Sequence, residues 1–193
     1  MESKRKIILA VAGASGSIYA KMLAERIREL SDKPRELAMV FSTNAGDIWE
    51  YELGSTPGKE AERDGMTRIY ENNDFHAPFA SGSSTFDTMI ICPASMGMLG
   101  RIANGVADDL ITRAADVMLK ERRKLILVPR ETPYNLIHIN NMKLLTEAGA
   151  VIMPATPSFY SRPKNIDELV LTVVDRILDQ AGFDVETQRW GDE

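Results

Sequence analysis

The chain has 193 residues, of which 44% are hydrophobic and 26% charged, a composition typical of a soluble protein with one core. A net charge of −5 argues against broad binding to nucleic acid, and residues 1–6 are too polar to begin a signal peptide. No apolar run reaches the roughly 20 residues that cross a bilayer, so we expect one cytoplasmic domain over residues 1–193 with no membrane contact.

Apolar, β-branched runs alternate with helical patterns along the whole sequence. Five runs predict strands buried on both faces: Lys6–Ala12, Leu37–Phe41, Thr88–Cys92, Leu125–Val128 and Val151–Met153. Apolar stripes at helical spacing predict helices over residues 20–30, 110–118 and 166–178. This alternation predicts an α/β fold in which helices cover both faces of a mainly parallel sheet.

Three local signals mark boundaries within this pattern. Asn165 followed by Glu168 resembles a capping box and predicts the start of the last helix. Residues 54–65 are rich in glycine, proline and charge and predict an exposed loop. Residues 183–193 predict a polar tail at the end of the single domain.

Small and hydroxyl-bearing residues follow three of the predicted strands. They are Gly13–Gly16 after the first, Ser42 and Thr43 after the second, and Pro93–Met98 after the third. The carboxyl ends of parallel strands meet at one edge of a sheet, where ligands of open α/β folds bind. Glycines there allow a close backbone approach, and a helix N-terminus attracts an anion, so the turns predict a phosphate-bearing cofactor. A plain strand-to-helix turn is the alternative for any one of them.

A nicotinamide cofactor is disfavoured. The full Gly-x-Gly-x-x-Gly fingerprint is missing, and hydroxyls stand where an acid would bind the ribose of NAD. Hydroxyls at that position suit a phosphate or the ribityl chain of a flavin.

Arg130 and Glu131 follow the fourth predicted strand side by side. A fixed cation beside a titratable acid suits a site that holds a phosphate and moves a proton. A surface ion pair at the end of a strand is the alternative.

Other candidates are open to two interpretations each. Lys120 ends a predicted helix, where cations favour the dipole. Arg176 borders the apolar stripe of the last helix, where its head could reach solvent or a ligand. Tyr160 lies in the loop after the last strand and could cover a pocket or pack the helix.

Metal and thiol chemistry are disfavoured. His76 is a candidate general base, His138 lies in a helical stretch and is expected to be structural, and no zinc-type spacing is present. Cys92 sits in an apolar strand and is expected to be a small buried hydrophobe.

In order and spacing, these segments resemble the flavin prenyltransferase family of the UbiX type from Ile7 to about Leu178. The specific stretches are Gly13–Gly16, Ala77–Ser83, the 111–124 helix, Pro129-Arg130-Glu131, and 149–154 through Phe159-Tyr160. The resemblance implies a flavodoxin-like/Rossmann-like three-layer sandwich. It also implies an enzyme that transfers a dimethylallyl group from dimethylallyl monophosphate to N5 and C6 of reduced FMN without a metal.

The resemblance also assigns roles to residues. FMN contacts are implied for Gly13, Ala14, Ser15, Ser42, Ser95, Met96, Gly97, Met98 and Arg130. Prenyl-phosphate contacts are implied for Lys120, Arg130, Tyr160 and Arg176, and catalytic roles for Glu131, Glu52 and Ser15. Met98 stands where many relatives carry a hydroxyl residue, a departure that weakens one implied FMN contact.

The implied partners are a UbiD-type decarboxylase, which receives the prenylated FMN, and further copies of the chain in a homo-oligomer such as a dodecamer. Two alternatives stay open. One is an FMN-dependent decarboxylase of cysteine-containing substrates, in which His76 would be catalytic. The other is a flavodoxin-like electron carrier, which would have no need of Lys120, Arg176 and Glu131 around a second phosphate.

Overall fold

The computed structural model describes residues 5–57 and 65–185 and contains a six-stranded sheet in which every pairing is parallel. The strands are β1 (Lys6–Val11), β2 (Glu36–Phe41), β3 (Thr67–Tyr70), β4 (Thr88–Ala94), β5 (Lys124–Pro129) and β6 (Val151–Ile152). The five strands expected from the sequence are confirmed. We call the ends where the strands finish the carboxyl edge and the opposite ends the amino edge.

The strand order is β3-β2-β1-β4-β5-β6, so the chain reverses its direction of travel between β1 and β4. This order is the Rossmann form of the doubly wound α/β fold, and the reversal point is where such folds bind ligands. The sequence did not predict β3, because it is a four-residue edge strand in which Thr67 and Arg68 interrupt the apolar pattern.

Six α-helices lie between the strands or after the last one in the described part of the chain. They are α1 (Ser17–Glu29), α2 (Ala45–Leu53), α3 (Met96–Ala103), α4 (Leu110–Lys120), α5 (Leu136–Glu147) and α6 (Ile166–Ala181), with a short 3₁₀ turn at Pro78–Ala80. None of the helices within residues 5–57 and 65–185 is long and apolar enough to cross a membrane.

Alternate residues of the central strands enter two separate cores, as a sheet covered on both faces requires. Ile8 and Ala10 of β1 pack in the core beneath α3 and α4, whereas Ile7 and Leu9 pack beneath α1 and α6. The helices therefore hold the sheet rigid from both sides and leave its carboxyl edge free to form a site.

Side chains at the helix starts fix where three helices begin. Asn165 accepts a hydrogen bond from the backbone N–H of Glu168 (2.8 Å), which confirms the cap predicted for α6. Asp109 caps α4 in the same way, and Asn135 with His138 caps α5. His138 thus has the structural role expected of it.

The predicted polar tail is wrong at its first residues. Phe183 and Val185 are about 95% buried against the core beneath α1 and α6, and Phe183 stacks under the guanidinium of Arg5 (4.3 Å). The chain continues to bury apolar surface after α6, so the domain core extends to residue 185. Residues 186–193 of the predicted tail, and residues 58–64 of the predicted 54–65 loop, lie outside the described residues.

Candidate functional site

Three backbone hydrogen bonds join four neighbouring strands at the carboxyl edge. The N–H of Ser42 donates to Val11 (2.9 Å), that of Ala12 donates to Pro93 (3.1 Å), and that of Arg130 donates to Ala94 (3.2 Å). We call these bonds the carboxyl-edge ladder. Ser42, Arg130 and the turns that follow β1 and β4 are thereby fixed along one line across the strand reversal point.

The turns after β1 and β2 also meet side by side. A Cβ added to Gly13 would lie 3.2 Å from the Cβ of Asn44 and 3.9 Å from the Oγ of Ser42. A larger residue at Gly13 would therefore push the two turns apart. Ala14 and Ser15 follow at the surface, and Ser15 is exposed.

The N-terminus of α1, from which the sequence predicted an anion site, is already occupied by a carboxylate of the chain itself. Glu52, on α2, accepts hydrogen bonds from the backbone N–H groups of Gly16 (3.0 Å) and Ser17 (2.7 Å). Gly16 has a φ of 112°, which a glycine adopts without strain and which turns these N–H groups toward α2. The helix dipole of α1 thus stabilises Glu52 instead of an external phosphate.

The pKa of Glu52 lies below its ordinary value of 4.5. Partial burial acts to raise this pKa, but the hydrogen bonds from Ser15, Ser17 and Gly16 outweigh it. A carboxyl group whose pKa is lower in the folded state stabilises the fold above its unfolded-state pKa and loses that contribution as the pH falls.

We therefore expect the stability difference between the parent protein and Glu52→Gln to depend on pH. The parent should be more stable at pH 7, and its advantage should shrink as the pH falls below about 4.5 and through the lowered pKa of Glu52. Urea denaturation of both proteins between pH 3 and 7 measures this difference. Glu50→Gln on the solvent side of α2 is the matched control, and a difference that stays constant with pH would contradict the cap.

The N-terminus of α3 remains open to an anion. Ser95 caps this helix, with its Oγ accepting from the N–H of Met98 (3.2 Å), and the Leu99 N–H to Ser95 carbonyl bond (3.1 Å) begins the helix. The N–H groups of Met96 and Gly97 therefore have no partner within the helix. Gly97 is exposed, and a Cβ there would meet nothing within 4 Å, so a phosphate can approach.

Met98 does not contribute its side chain to this surface. The side chain is 2% exposed within the core beneath α3 and α4, and its Sδ accepts a hydrogen bond from Arg101 (3.5 Å). The residue type at this position therefore affects the packing of α3 and not the side chains that a ligand meets.

Arg130 and Glu131 are exposed directly beyond β5. No carboxylate in the described ranges forms an ion pair with Arg130. Glu131 Oε1 accepts a hydrogen bond from the N–H of Thr132 (2.9 Å), which holds the carboxylate against its own turn. The two side chains are an available cation and an oriented base at the end of the carboxyl-edge ladder.

Within a single chain, two of the predicted phosphate ligands, Lys120 and Arg176, lie away from Arg130. Lys120 ends α4 just before Lys124 begins β5, so it lies at the amino edge. Arg176 is ten residues, roughly 15 Å at 1.5 Å per residue, beyond the start of α6 at Ile166. Each cation contacts an acid of its own chain, Lys120 with Glu121 and Arg176 with Asp179.

Tyr160 is 73% exposed in the loop between β6 and α6, on the carboxyl side of the molecule with Arg130. One protomer therefore contributes Arg130, Glu131 and Tyr160 to the carboxyl edge and presents Lys120 near the opposite edge. Within one chain the four predicted prenyl-phosphate ligands are not brought together.

The cysteine and the histidine that the sequence analysis left outside the main site lie in ordinary structural positions. Cys92 is fully buried in β4, and burial raises the pKa of its thiol. His76 is exposed on the surface turn between β3 and β4, with its backbone N–H donating to Asp74 (3.0 Å). In the portion of the chain that the structure describes, no cluster of three histidine, cysteine, aspartate or glutamate side chains could hold a metal ion.

The structure adds two residues that the sequence analysis missed. Asn44 closes against Gly13, as described above. Tyr19 packs beside Gly16, and its half-buried phenol has a pKa raised first by burial, then by Cys92, and opposed by the charge of Arg130. The sequence did offer a signal for Tyr19. It follows the last glycine of the first turn by three residues, a spacing that places its side chain beside that turn.

Comparison with known proteins identifies the class of this fold and site. The Flavoprotein family profile matches residues 1–178. The chain is 45% identical over 187 residues to the flavin prenyltransferase UbiX of Methanocaldococcus jannaschii, covering 96% of this chain and 98% of that protein. It therefore belongs to the flavoprotein family, and within it to the flavin prenyltransferases of the UbiX type.

Solved structures agree with this assignment. AnUbiX (PadA1) in complex with FMN and dimethylallyl pyrophosphate has a TM-score of 0.88 and 38% identity, covering 97% of this chain and 99% of that one. A dodecameric FMN-dependent UbiX-like decarboxylase from Escherichia coli O157:H7 also has a TM-score of 0.88 and 38% identity, with 96% and 98% coverage. The flavodoxin-like/Rossmann-like fold expected from the sequence is confirmed.

Proposed function

We propose that this protein is a flavin prenyltransferase that joins a dimethylallyl group from dimethylallyl monophosphate to N5 and C6 of reduced FMN. We further propose that it acts in the cytoplasm and that a UbiD-type decarboxylase receives the prenylated FMN. The observation that carries the proposal is the carboxyl-edge ladder, which fixes Ser42, the β4 turn and Arg130 along one crevice. The decarboxylase and electron-carrier alternatives are not favoured, because the curated relatives at this level of identity are flavin prenyltransferases.

The residues of the carboxyl edge fit FMN. The turns after β1 and β2 leave a backbone surface at Gly13 without side chains, and the open N-terminus of α3 suits the flavin phosphate. Arg130 supplies a cation that no described carboxylate neutralises. The proposed FMN contacts are Gly13, Ala14, Ser15, Ser42, Ser95, Met96, Gly97, Arg130 and the backbone of Met98.

When bound, reduced FMN supplies the two nucleophilic positions, N5 and C6, at which the dimethylallyl group is attached. The C–O bond of the prenyl phosphate breaks, and phosphate leaves with the bonding electron pair. Lys120, Arg130 and Arg176 stabilise the negative charge that develops on the leaving phosphate, so the step requires no metal ion. The phenol of Tyr160 contacts the phosphate, and its ring shields the allylic group from water.

Proton handling falls to the carboxylates and to the leaving phosphate. Bond formation at N5 and at C6 releases one proton from each atom. The prenyl double bond takes up one proton as the ring closes, and Glu131 or the leaving phosphate accepts the other. Glu52 orients the Ser15 hydroxyl at the N-terminus of α1, so the pair fixes one hydrogen-bonding group on the crevice. In this scheme Glu131 is a proton acceptor, while Glu52 and Ser15 orient and stabilise.

We also propose that the complete site forms between copies of the chain. Lys120 lies at the amino edge and Tyr160 and Arg130 at the carboxyl edge, so a neighbouring copy would supply the missing cation. An apolar surface on α5 is available for such contacts, since Leu136 and Ile137 are about 70% exposed and α5 buries mainly Leu145. Assembly would cover these side chains, and the E. coli relative is dodecameric.

The reaction is tested by incubating the purified protein with reduced FMN and dimethylallyl monophosphate without oxygen and measuring the flavin by mass spectrometry. The proposal expects a mass gain equal to one isoprene unit and the release of one phosphate. Dimethylallyl diphosphate in a parallel reaction identifies the donor, and oxidised FMN is the control. Reduced FMN that binds but gains no mass with either donor would overturn the proposal.

A further inference from the structure

The loop Ala80–Ser84, at the amino edge beside the end of α4, is held by two guanidinium groups. Arg113 Nε donates to the carbonyl of Ala80 (2.9 Å), and Arg123 donates from one terminal nitrogen to the carbonyl of Gly82 (2.6 Å). The other terminal nitrogen of Arg123 is buried and finds no partner among residues 5–57 and 65–185. Arg123 is therefore packed in place with the Gly82 carbonyl as its one described side-chain acceptor.

Lys120 and Glu121 lie directly over Gly82. A Cβ added at Gly82 would lie 2.6 Å from the Nζ of Lys120 and would also collide with the Oε1 of Glu121. The φ of Gly82 is not in the left-handed region, so the backbone itself would accept alanine. A side chain at Gly82 would therefore displace the two charged groups above it.

We infer that the Ala80–Ser84 loop is the platform that sets the position of the Lys120 ammonium group, with Gly82 and Arg123 as positioning residues for the prenyl phosphate. Gly82 leaves room for the ammonium group to lie against the loop. The hydrogen bond from Arg123 to the Gly82 carbonyl fixes the position of the loop beneath that ammonium group. This inference rests on the proposed function, in which Lys120 binds that phosphate.

The charges around Lys120 explain why its position needs support. Glu121 contacts the Lys120 ammonium group, and Lys120 lowers the pKa of Glu121 through that hydrogen bond and through its charge, with a smaller effect from Arg123. Glu121 therefore stays ionised and competes with a phosphate for Lys120. The loop under both side chains keeps the ammonium group on the surface, where the Lys120 side chain is 45% exposed and a phosphate can reach it.

Gly82→Ala tests the inference without disturbing the core, because the methyl group meets only the mobile ends of two surface side chains. We expect the KM for dimethylallyl monophosphate to rise roughly three- to tenfold, with kcat and the Kd for FMN unchanged. Gly46→Ala is the matched control, since a Cβ at this glycine of α2 meets nothing within 4 Å. The control should have the parent KM.

A double substitution separates positioning from a general structural effect. Lys120→Gln should raise the same KM about tenfold or more, and adding Gly82→Ala to it should raise the KM little further. A raised KM for Lys120→Gln but a parental KM for Gly82→Ala would overturn the inference and leave the role of Lys120 intact. A parental KM for Lys120→Gln would overturn both, and additive effects would show that Gly82 does not act through Lys120.

Substitutions of Arg123 test the same inference independently. Arg123→Gln should raise the prenyl-phosphate KM as Gly82→Ala does, and Arg123→Lys should restore part of it by keeping a charged donor near the Gly82 carbonyl. Arg122→Gln removes the same charge from the neighbouring exposed position and should leave the KM unchanged. Equal effects of the Arg122 and Arg123 variants on the KM would mean that net charge causes the change. That result would overturn the positioning role of Arg123.

Discussion

Replacing Glu131 by Gln should slow flavin prenylation at saturating substrates by about a hundredfold or more, with FMN affinity unchanged. Glu131 lies at the carboxyl edge beside Arg130, and the N–H of Thr132 orients one of its oxygens. Glutamine keeps the size of the side chain and an oxygen for that N–H, but it cannot accept a proton from the reacting flavin. The loss should therefore fall on turnover and not on binding.

Single-turnover measurements with FMN prebound isolate this step from product release. Glu29→Gln, which removes an exposed carboxylate at the far end of α1, is the control and should behave as the parent. If Glu131→Gln also reacts at the parent rate, the proton passes to the leaving phosphate and Glu131 has no part in its transfer.

Two variants that are weak at low prenyl-phosphate concentration should restore activity to each other when they assemble together. A Lys120→Gln chain retains the carboxyl-edge cation Arg130, and an Arg130→Ala chain retains Lys120. If a site takes one residue from each of two copies, about a quarter of the sites in an equal mixture carry both native residues. Activity at a low concentration of prenyl phosphate should then rise from a few per cent of the parent level to about a quarter of it.

Coexpression of the two chains with different tags and isolation of the mixed oligomers provides the sample. The two homogeneous variants, mixed after purification without subunit exchange, are the control. When the double variant is carried on one chain and coexpressed with the parent, about a quarter of the sites should have both native residues if the site is shared, against about half if both residues come from one chain. Mixed oligomers no more active than the separate variants would show that Lys120 and Arg130 do not serve one shared site.

The order of local signals along the chain was sufficient to predict the sheet and its ligand-binding edge. The strands β1, β2, β4 and β5 are continuous apolar runs, and a parallel sheet follows from their alternation with helices. The turns at Gly13–Gly16 and Pro93–Met98 were placed at a common edge for the same reason. These features depend on neighbouring residues or on the regular geometry of strands, so periodicity reveals them.

The parts that sequence did not predict depend on contacts between distant residues. Glu52 reaches Gly16 across 36 positions, and no local pattern indicates which carboxylate will fill a helix N-terminus. Lys120 and Arg130 are ten residues apart along the chain, yet β5 carries them to opposite edges of the sheet. Phe183 and Val185 follow the glycine at which α6 ends, and only the packed fold shows that the chain turns back onto the core.

The carboxyl-edge ladder is made entirely of main-chain atoms, so the line on which the crevice is built does not depend on which side chains project from it. Ser42, Ala12, Ala94 and Arg130 could each be exchanged for another residue without removing one of its hydrogen bonds, proline at the donor positions excepted. A scaffold of this kind separates the position of a site from its chemistry. Descendants of such a chain can change their substrate by substituting the residues along the edge, while the frame that aligns them is inherited intact.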